Sequence, residues 1–112
     1  MDRKQLIRKV DSMSVRGDRD LRIFGDNILR WRKLLGLTAQ MVADRAGVTR
    51  NTLRAIETGA GTARLENVFS VMRVLGVTER VLDATEPLNT DLGRINAERM
   101  LPQRVVPRRS SR

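Results

Sequence analysis

The chain has 112 residues and a net charge of +9, a length that suits one small domain with a tail. It contains no histidine and no cysteine, so disulfide frameworks, zinc sites and catalysis by a thiol or an imidazole lack their residues. No apolar run approaches the roughly 18 residues of a membrane span, and the charged segment from Met1 to Leu21 lacks a signal-peptide pattern. We therefore expect a cytoplasmic protein that is not an enzyme, contacts no membrane and needs no metal or cofactor.

The excess of positive charge indicates a polyanionic partner, which is DNA, RNA or an acidic protein surface. Residues 1–22 hold seven basic and four acidic side chains, and residues 100–112 hold four basic and no acidic ones. RNA-binding domains stack bases on aromatic side chains, and aromatic residues make up only 3% of this chain. The composition therefore favours double-stranded DNA over RNA as the partner.

Residues 1–22 are predicted to form a basic N-terminal segment that is helical only in part. Arg3–Val10 has its apolar residues on one side of a short helix. The polar residues from Ser12 to Asp20 include Gly17 and predict a linker. We expect a folded domain over residues 23–86.

Five helices are predicted within that domain. Phe24, Ile28, Trp31 and Leu35 recur at helical spacing, and Gly36 ends this first helix. The second to fifth helices each end at a glycine or a proline. A threonine caps the second, the third and the fifth. They are predicted from Thr38 to Gly47, from Thr49 to Gly59, from Leu65 to Gly76, and from a cap at Thr78 to Pro87. Short loops between aliphatic helices predict an all-α bundle.

A bundle of about 60 residues is marginally stable alone, so we expect a homodimer. Its predicted contact surface is the set of apolar residues around the fifth helix that we expect to be partly uncovered. These are Val77, Val81, Leu82 and Leu88.

Residues 87–112 are predicted to form a C-terminal extension. Thr90–Ile95 opens a sixth short helix with Leu92, Ile95 and Met100 facing inward, and Gly93 weakens it. Beyond it, two prolines and four arginines predict an extended basic tail.

The turn Gly47-Val48-Thr49 between the second and third helices carries the functional signal. Gly47 supplies the positive φ of the turn, and Val48 fills the gap between the two helices. The helices are predicted to pack through small or aliphatic residues on their inner faces, namely Val42, Ala43, Ala46, Leu53 and Ile56. This pattern is typical of a helix-turn-helix unit.

The outer face of the third helix begins with Arg50 and Asn51, in the turn that projects furthest into a major groove. Arginine can bond guanine O6 and N7 in a bidentate fork, and asparagine can bond adenine N6 and N7. A solvated helix face is the competing interpretation of these two residues. Their place within the motif favours base contact.

Residues 24–84 resemble the Xre/Cro-type helix-turn-helix regulators of bacteria and phages. The matching stretches are Leu37–Ala43, Ala46–Leu53, Ile56–Gly59 and Leu75–Val77. The resemblance implies a lambda-repressor-like, five-helix bundle with extended basic N- and C-terminal segments. It also implies a homodimer that represses a promoter by binding an inverted-repeat operator.

The same resemblance assigns roles to individual residues. The base-reading positions are Arg50, Asn51 and Ala55. The phosphate-contacting positions are Thr38, Gln40, Thr49, Arg54 and Thr58. Arg32 and Glu57 match a structural pair that ties the first helix to the end of the third. The family often has glutamine directly after the cap of the second helix, whereas this chain has Ala39 there, followed by Gln40.

The order of elements and the tail Leu101–Val106 also look like HipB-type antitoxins, which repress their own operon and neutralise a kinase-fold toxin. This resemblance implies an alternative main function, in which the terminal extensions bind such a toxin. In either case we expect a cytoplasmic, nucleoid-associated protein.

Overall fold

A computed structural model describes the backbone of residues 2–100 and the side chains of residues 2–5 and 14–100. The described chain is all-α, as predicted. Its elements are α1 Arg3–Leu34, α2 Ala39–Ala46, α3 Arg50–Thr58, α4 Leu65–Leu75, α5 Thr78–Thr85, a 3-10 turn Pro87–Asn89, and α6 Asp91–Met100. The predicted basic tail, from Leu101 onward, lies outside the described residues. None of the helices between residues 2 and 100 is long and apolar enough to cross a membrane.

Helix α1 is 32 residues long and passes through the segment Ser12–Asp20, so the linker predicted there is wrong. It begins with a capping box, because the Asp2 carboxylate accepts from the Gln5 backbone N–H at 2.8 Å and the Gln5 side chain accepts from the Asp2 N–H. A glycine within a helix costs about 1 kcal/mol. Gly17 alone therefore does not interrupt a helix that continues on both sides and contains no proline.

The helix-turn-helix geometry agrees with the predicted caps. The Thr38 hydroxyl accepts from the Met41 N–H at 3.1 Å, and the Thr49 hydroxyl accepts from the Thr52 N–H at 3.0 Å. Gly47 joins the two helices with a φ of 70°, a left-handed conformation that favours glycine. The turn therefore sets the angle between α2 and α3 through local interactions.

The chain divides into two compact units, one through Thr78 and one from Glu79 onward. In the first, α1 packs against α3, while α2 packs against both α3 and α4. Its core is aliphatic, in agreement with the low aromatic content of the chain. The buried apolar residues are Ile28, Val42, Ala43, Leu53, Ile56, Val71, Met72, Leu75 and Val77.

Two predictions about the residues near α5 are wrong. Thr78 does not cap α5 but is its first residue, is only 2% exposed, and has no hydrogen-bond partner for its hydroxyl among the described residues. Val77 was expected to be partly uncovered, yet it is buried. Val81 is half-buried, whereas Leu82 and Leu88 are exposed as expected.

In the second unit α6 forms as predicted, but the residues predicted to face inward do not. Leu92, Ile95 and Met100 are 72%, 51% and 64% exposed, since this unit contains too few elements to enclose them. Gly93 lies within α6 and permits its contact with the preceding turn. A Cβ at Gly93 would overlap the carbonyl of Pro87.

Candidate nucleic-acid interface

The outer face of α3 is open to solvent. The side chains of Arg50, Asn51 and Arg54 are exposed, and they make no hydrogen bond or ion pair with the described part of the chain. On the opposite side of the same helix, Leu53 and Ile56 are buried. One helix therefore anchors itself in the core with one face and presents hydrogen-bonding groups with the other.

A groove of about 580 Å³ lies between the start of α2 and the outer face of α3. Its walls carry polar groups, and its floor is formed by a leucine and an ion pair. The lining residues are Arg32, Ala39, Gln40, Arg50, Asn51, Leu53, Arg54 and Glu57. The groove thus brings together four of the residues predicted to contact DNA: Gln40, Arg50, Asn51 and Arg54.

The ion pair in the floor joins α1 to the end of α3. Arg32 Nε donates to Glu57 Oε2 at 2.7 Å, Nη2 donates to Oε1 at 3.1 Å, and Nη1 donates to the Leu37 carbonyl at 3.2 Å. The two side chains are only 13% and 10% exposed. The hydrogen bond to Glu57 raises the pKa of the Arg32 guanidinium, which stays charged. One guanidinium therefore holds together α1, the segment before α2, and α3.

A glycine contact that the sequence analysis missed fixes the same helix. At Gly25, α1 lies directly on the backbone carbonyls at the end of α3. A Cβ at this position would stand 2.7 Å from the backbone carbonyl oxygen of Glu57. At Gly59, a Cβ would stand 2.7 Å from the backbone of Arg22. A glycine inside the apolar pattern of a helix is the signal that indicates such close approach.

The remaining predicted residues lie at the two ends of the motif. Thr38 caps α2, and Thr49 caps α3. The first backbone N–H groups of each helix have no acceptor within the helix itself. Ala55 is half-buried on α3. The Thr58 hydroxyl donates to the Arg54 carbonyl at 2.8 Å, and Gln40 Nε2 donates to Asp44 Oδ1 at 2.7 Å. Thr38, Thr49, Ala55 and Thr58 do not line the groove.

Comparison with known proteins gives one finding. Residues 28–82 match a protein-family model described as helix-turn-helix. This range includes α2, the turn and α3, together with the part of α1 that carries Arg32. No curated protein and no solved structure matches the chain.

Proposed function

Residues 28–82 belong to the Xre/Cro-type helix-turn-helix family of DNA-binding transcriptional regulators, and on this basis we propose that the chain is a repressor. It binds an inverted-repeat operator as a homodimer and occludes a promoter. The observation that carries this proposal is the pair Arg50 and Asn51 in the first turn of α3, whose side chains are exposed and have no partner among the described residues.

Base recognition rests on three side chains of α3. The fork of Arg50 suits guanine O6 and N7, and the amide of Asn51 suits adenine N6 and N7. Ala55 offers a methyl group to the methyl of thymine. Because few groups read bases directly, the shape of the operator contributes to specificity.

Contacts with DNA phosphates position α3 in the major groove. The starts of α2 and α3 offer backbone N–H groups beside Thr38, Gln40 and Thr49, and helix N-termini attract phosphate. Arg54 adds a charge that no described residue neutralises. The Thr58 hydroxyl has to leave the Arg54 carbonyl before it donates to a phosphate.

A homodimer follows from the geometry of DNA. One recognition helix reads only a few base pairs, and two copies with half-sites about 34 Å apart enter adjacent major grooves on one face. Leu82 and Leu88 are 46% and 54% exposed and supply apolar area for the contact between the copies.

The proposal is tested by selecting bound duplexes from random DNA and footprinting the purified full chain on the winning sequence. We expect two protected half-sites about one helical turn apart, and an affinity that falls by orders of magnitude between about 50 and 200 mM salt. A reporter driven by that operator should be repressed when the chain is expressed. A flat salt response or enrichment of unrelated sequences would contradict the proposal.

The antitoxin function is the second candidate, because α6 in the C-terminal extension exposes Leu92, Ile95 and Met100. In this case the extensions bind a kinase-fold toxin from the same operon. A chain that ends at Asn89 keeps Leu88 and lacks α6, so it should keep its operator and lose the co-purifying toxin. If the shortened chain retains the toxin, the C-terminal extension does not bind it.

A further inference from the structure

Gln40, unlike Arg50 and Asn51, has a side chain that a neighbouring residue holds in place. Gln40 lies in the first turn of α2, and Asp44 follows one turn later; both are exposed. Gln40 Nε2 donates to Asp44 Oδ1 at 2.7 Å. This length is at the short end of the range for N–H···O bonds, as is usual when the acceptor is ionised. The Asp44 carboxylate therefore fixes the position of the Gln40 amide.

The same hydrogen bond determines which way round the amide lies. An ionised carboxylate only accepts hydrogen bonds, so the nitrogen of Gln40 has to face Asp44. Because the amide is planar, its oxygen Oε1 points away from Asp44. Neither Oε1 nor the second N–H of Nε2 makes a hydrogen bond with the described residues. Gln40 thus offers one acceptor and one donor side by side.

The side chain of Gln40 lines the groove that is proposed to receive DNA. The groove lies between the start of α2 and the outer face of α3, and Arg50 and Asn51 also line it. Ala39, which precedes Gln40 in the lining, contributes only a methyl group. Gln40 therefore lies across the groove from the two residues proposed to read bases, with no large neighbour at the adjacent position of α2.

A phosphate is a poor partner for this side chain. Phosphate oxygens only accept hydrogen bonds, so a phosphate makes no use of Oε1. A phosphate oxygen bonded to the second N–H would lie about 5 Å from Asp44 Oδ1, because both would be bonded to one nitrogen. Asp44 forms no ion pair with a described residue, so its charge repels a phosphate at this distance. The phosphate contact expected at Gln40 from the family resemblance therefore suits its backbone N–H and not its side chain.

The major-groove edge of adenine has the pattern that matches the Gln40 amide. It presents the N6 amino group as a donor beside N7 as an acceptor, and the amide of glutamine pairs with both. Guanine presents two acceptors, O6 and N7, so Oε1 would face an acceptor there. The edge of adenine is also neutral, and the Asp44 carboxylate does not repel it as it repels a phosphate.

We infer that the side chain of Gln40 reads an adenine and that Asp44 is the positioning residue for its amide. Base recognition then uses α2 as well as the three side chains of α3. Asp44 makes no contact with the base and acts through Gln40 alone. This inference rests on the proposed operator binding and goes beyond it by assigning a base contact to α2 and a role to Asp44.

The first test uses the full chain and the operator that it selects from random DNA. Gln40→Ala is measured by fluorescence anisotropy against this operator and against duplexes with one base pair changed in each half-site. We expect the variant to lose about tenfold discrimination per half-site at one A·T pair. This pair should differ from those that respond to Arg50→Ala and Asn51→Ala. Unchanged discrimination at every position overturns the inference, whether or not the affinity falls.

A modified base tests the same contact from the side of the DNA. 7-Deazaadenine lacks the N7 acceptor but keeps the groups that pair with thymine. With this base at the identified pair, the wild-type chain should bind about tenfold more weakly. Gln40→Ala should bind the normal and the modified operator equally. A wild-type affinity that does not change would overturn the assignment of adenine.

Asp44→Asn tests the positioning role. An asparagine amide donates as well as accepts, so it no longer determines which way round the Gln40 amide lies. We expect discrimination at the Gln40 pair to fall about fivefold, the effect of one lost hydrogen bond. The loss of a negative charge strengthens binding to all duplexes alike, so the measured quantity is the ratio of affinities for the operator and the changed duplex. In a double variant with Gln40→Ala, Asp44→Asn should not alter this ratio further.

Asp26→Asn is the matched control, because it removes an exposed carboxylate that pairs with Arg30 and not with Gln40. It should leave all the ratios unchanged. Equal falls in Asp26→Asn and Asp44→Asn, or a further fall in the double variant, would overturn the positioning role. A full chain that selects no common sequence overturns the proposed function itself. An operator that is read without any contribution from Gln40 overturns only the present inference.

Discussion

Residues 39–78 and residues 79–100 both form series of short helices, but the two regions differ in how far they bury their apolar side chains. The first region buries Val42, Leu53 and Val71 almost completely, whereas the second exposes Leu88 and Leu92 by more than half. The first region is therefore stabilised by its own packing together with α1. The second has an apolar surface but no interior, so its stability depends on what covers it.

Residues 14–20 of α1 resemble the C-terminal unit in this respect. They continue α1 without a break, but their side chains are exposed. Helix formation and burial are thus separable along one chain. Capping and propensity suffice to form a helix, whereas burial requires a second surface at the right distance.

The largest contrast is expected from truncating one leucine in each region. Leu53→Ala should lower the free energy of unfolding by about 2–5 kcal/mol, because it leaves a cavity in the core. Leu92→Ala removes an exposed side chain and should change it by less than about 0.5 kcal/mol in the monomer. Urea denaturation at low protein concentration measures both. Equal losses would mean that α6 packs as tightly as α3.

Two glycines of α1 offer the next contrast. Gly25→Ala should destabilise the fold by about 1–3 kcal/mol, because its Cβ is forced against the carbonyls of Ile56 and Glu57. Gly17→Ala has open space around it and should stabilise α1 by about 0.4–1 kcal/mol through a less flexible unfolded chain. Thermal unfolding followed by circular dichroism should show midpoints that move in opposite directions.

Two ion pairs of α1 differ in how far their side chains are exposed to solvent. Glu57→Ala leaves the largely covered Arg32 guanidinium without its carboxylate and should cost about 1–3 kcal/mol. Asp26→Ala breaks a pair with Arg30 whose side chains are 61% and 63% exposed, and should cost about 0–1 kcal/mol. Chemical denaturation of both variants provides the comparison. Losses of equal size would show that the Arg32 pair does not hold α3.

The open face of α3 should affect binding and not folding. Arg50→Ala should cost about 1–3 kcal/mol of operator affinity and relax preference at one base position, whereas Arg54→Ala should weaken all sequences alike and reduce the salt slope by about 1. Fluorescence anisotropy with operator and mismatched duplexes separates the two. A uniform loss for Arg50→Ala would make it a phosphate contact.

The smallest effect is expected where the packed region ends. Thr78→Val removes a buried hydroxyl that has no partner among the described residues, and should raise the free energy of unfolding by up to about 1 kcal/mol. Thr85→Val is the control, since that exposed hydroxyl donates to the Val81 carbonyl at 3.0 Å. Calorimetry should show a gain for the first variant and none for the second.

Features that depend on neighbouring residues could be predicted from the sequence. The caps at Thr38 and Thr49, the glycine turn between α2 and α3, and the inner face with Leu53 and Ile56 all follow from spacing within a few residues. They define the motif and place Arg50 on the outside.

Features that depend on contacts between distant segments could not be predicted from spacing. The local pattern around Gly17 indicated a break, whereas helix cooperativity carries α1 through it. The stripe of Leu92 and Ile95 indicated an amphipathic helix but not whether a covering surface exists. The Arg32–Glu57 pair spans 25 residues, so only the family resemblance suggested it.

The side chains of Arg50 and Asn51 have no partner in the part of the chain that the structure describes, and this has a consequence for how the protein can diverge. Glycine contacts and the Arg32–Glu57 pair hold α3 in place, and neither involves the side chains of Arg50 and Asn51. Substitution of Arg50 or Asn51 should therefore change the free energy of unfolding very little. Under the proposed function, exchange of these two surface residues would change the target site while the scaffold beneath them stays the same.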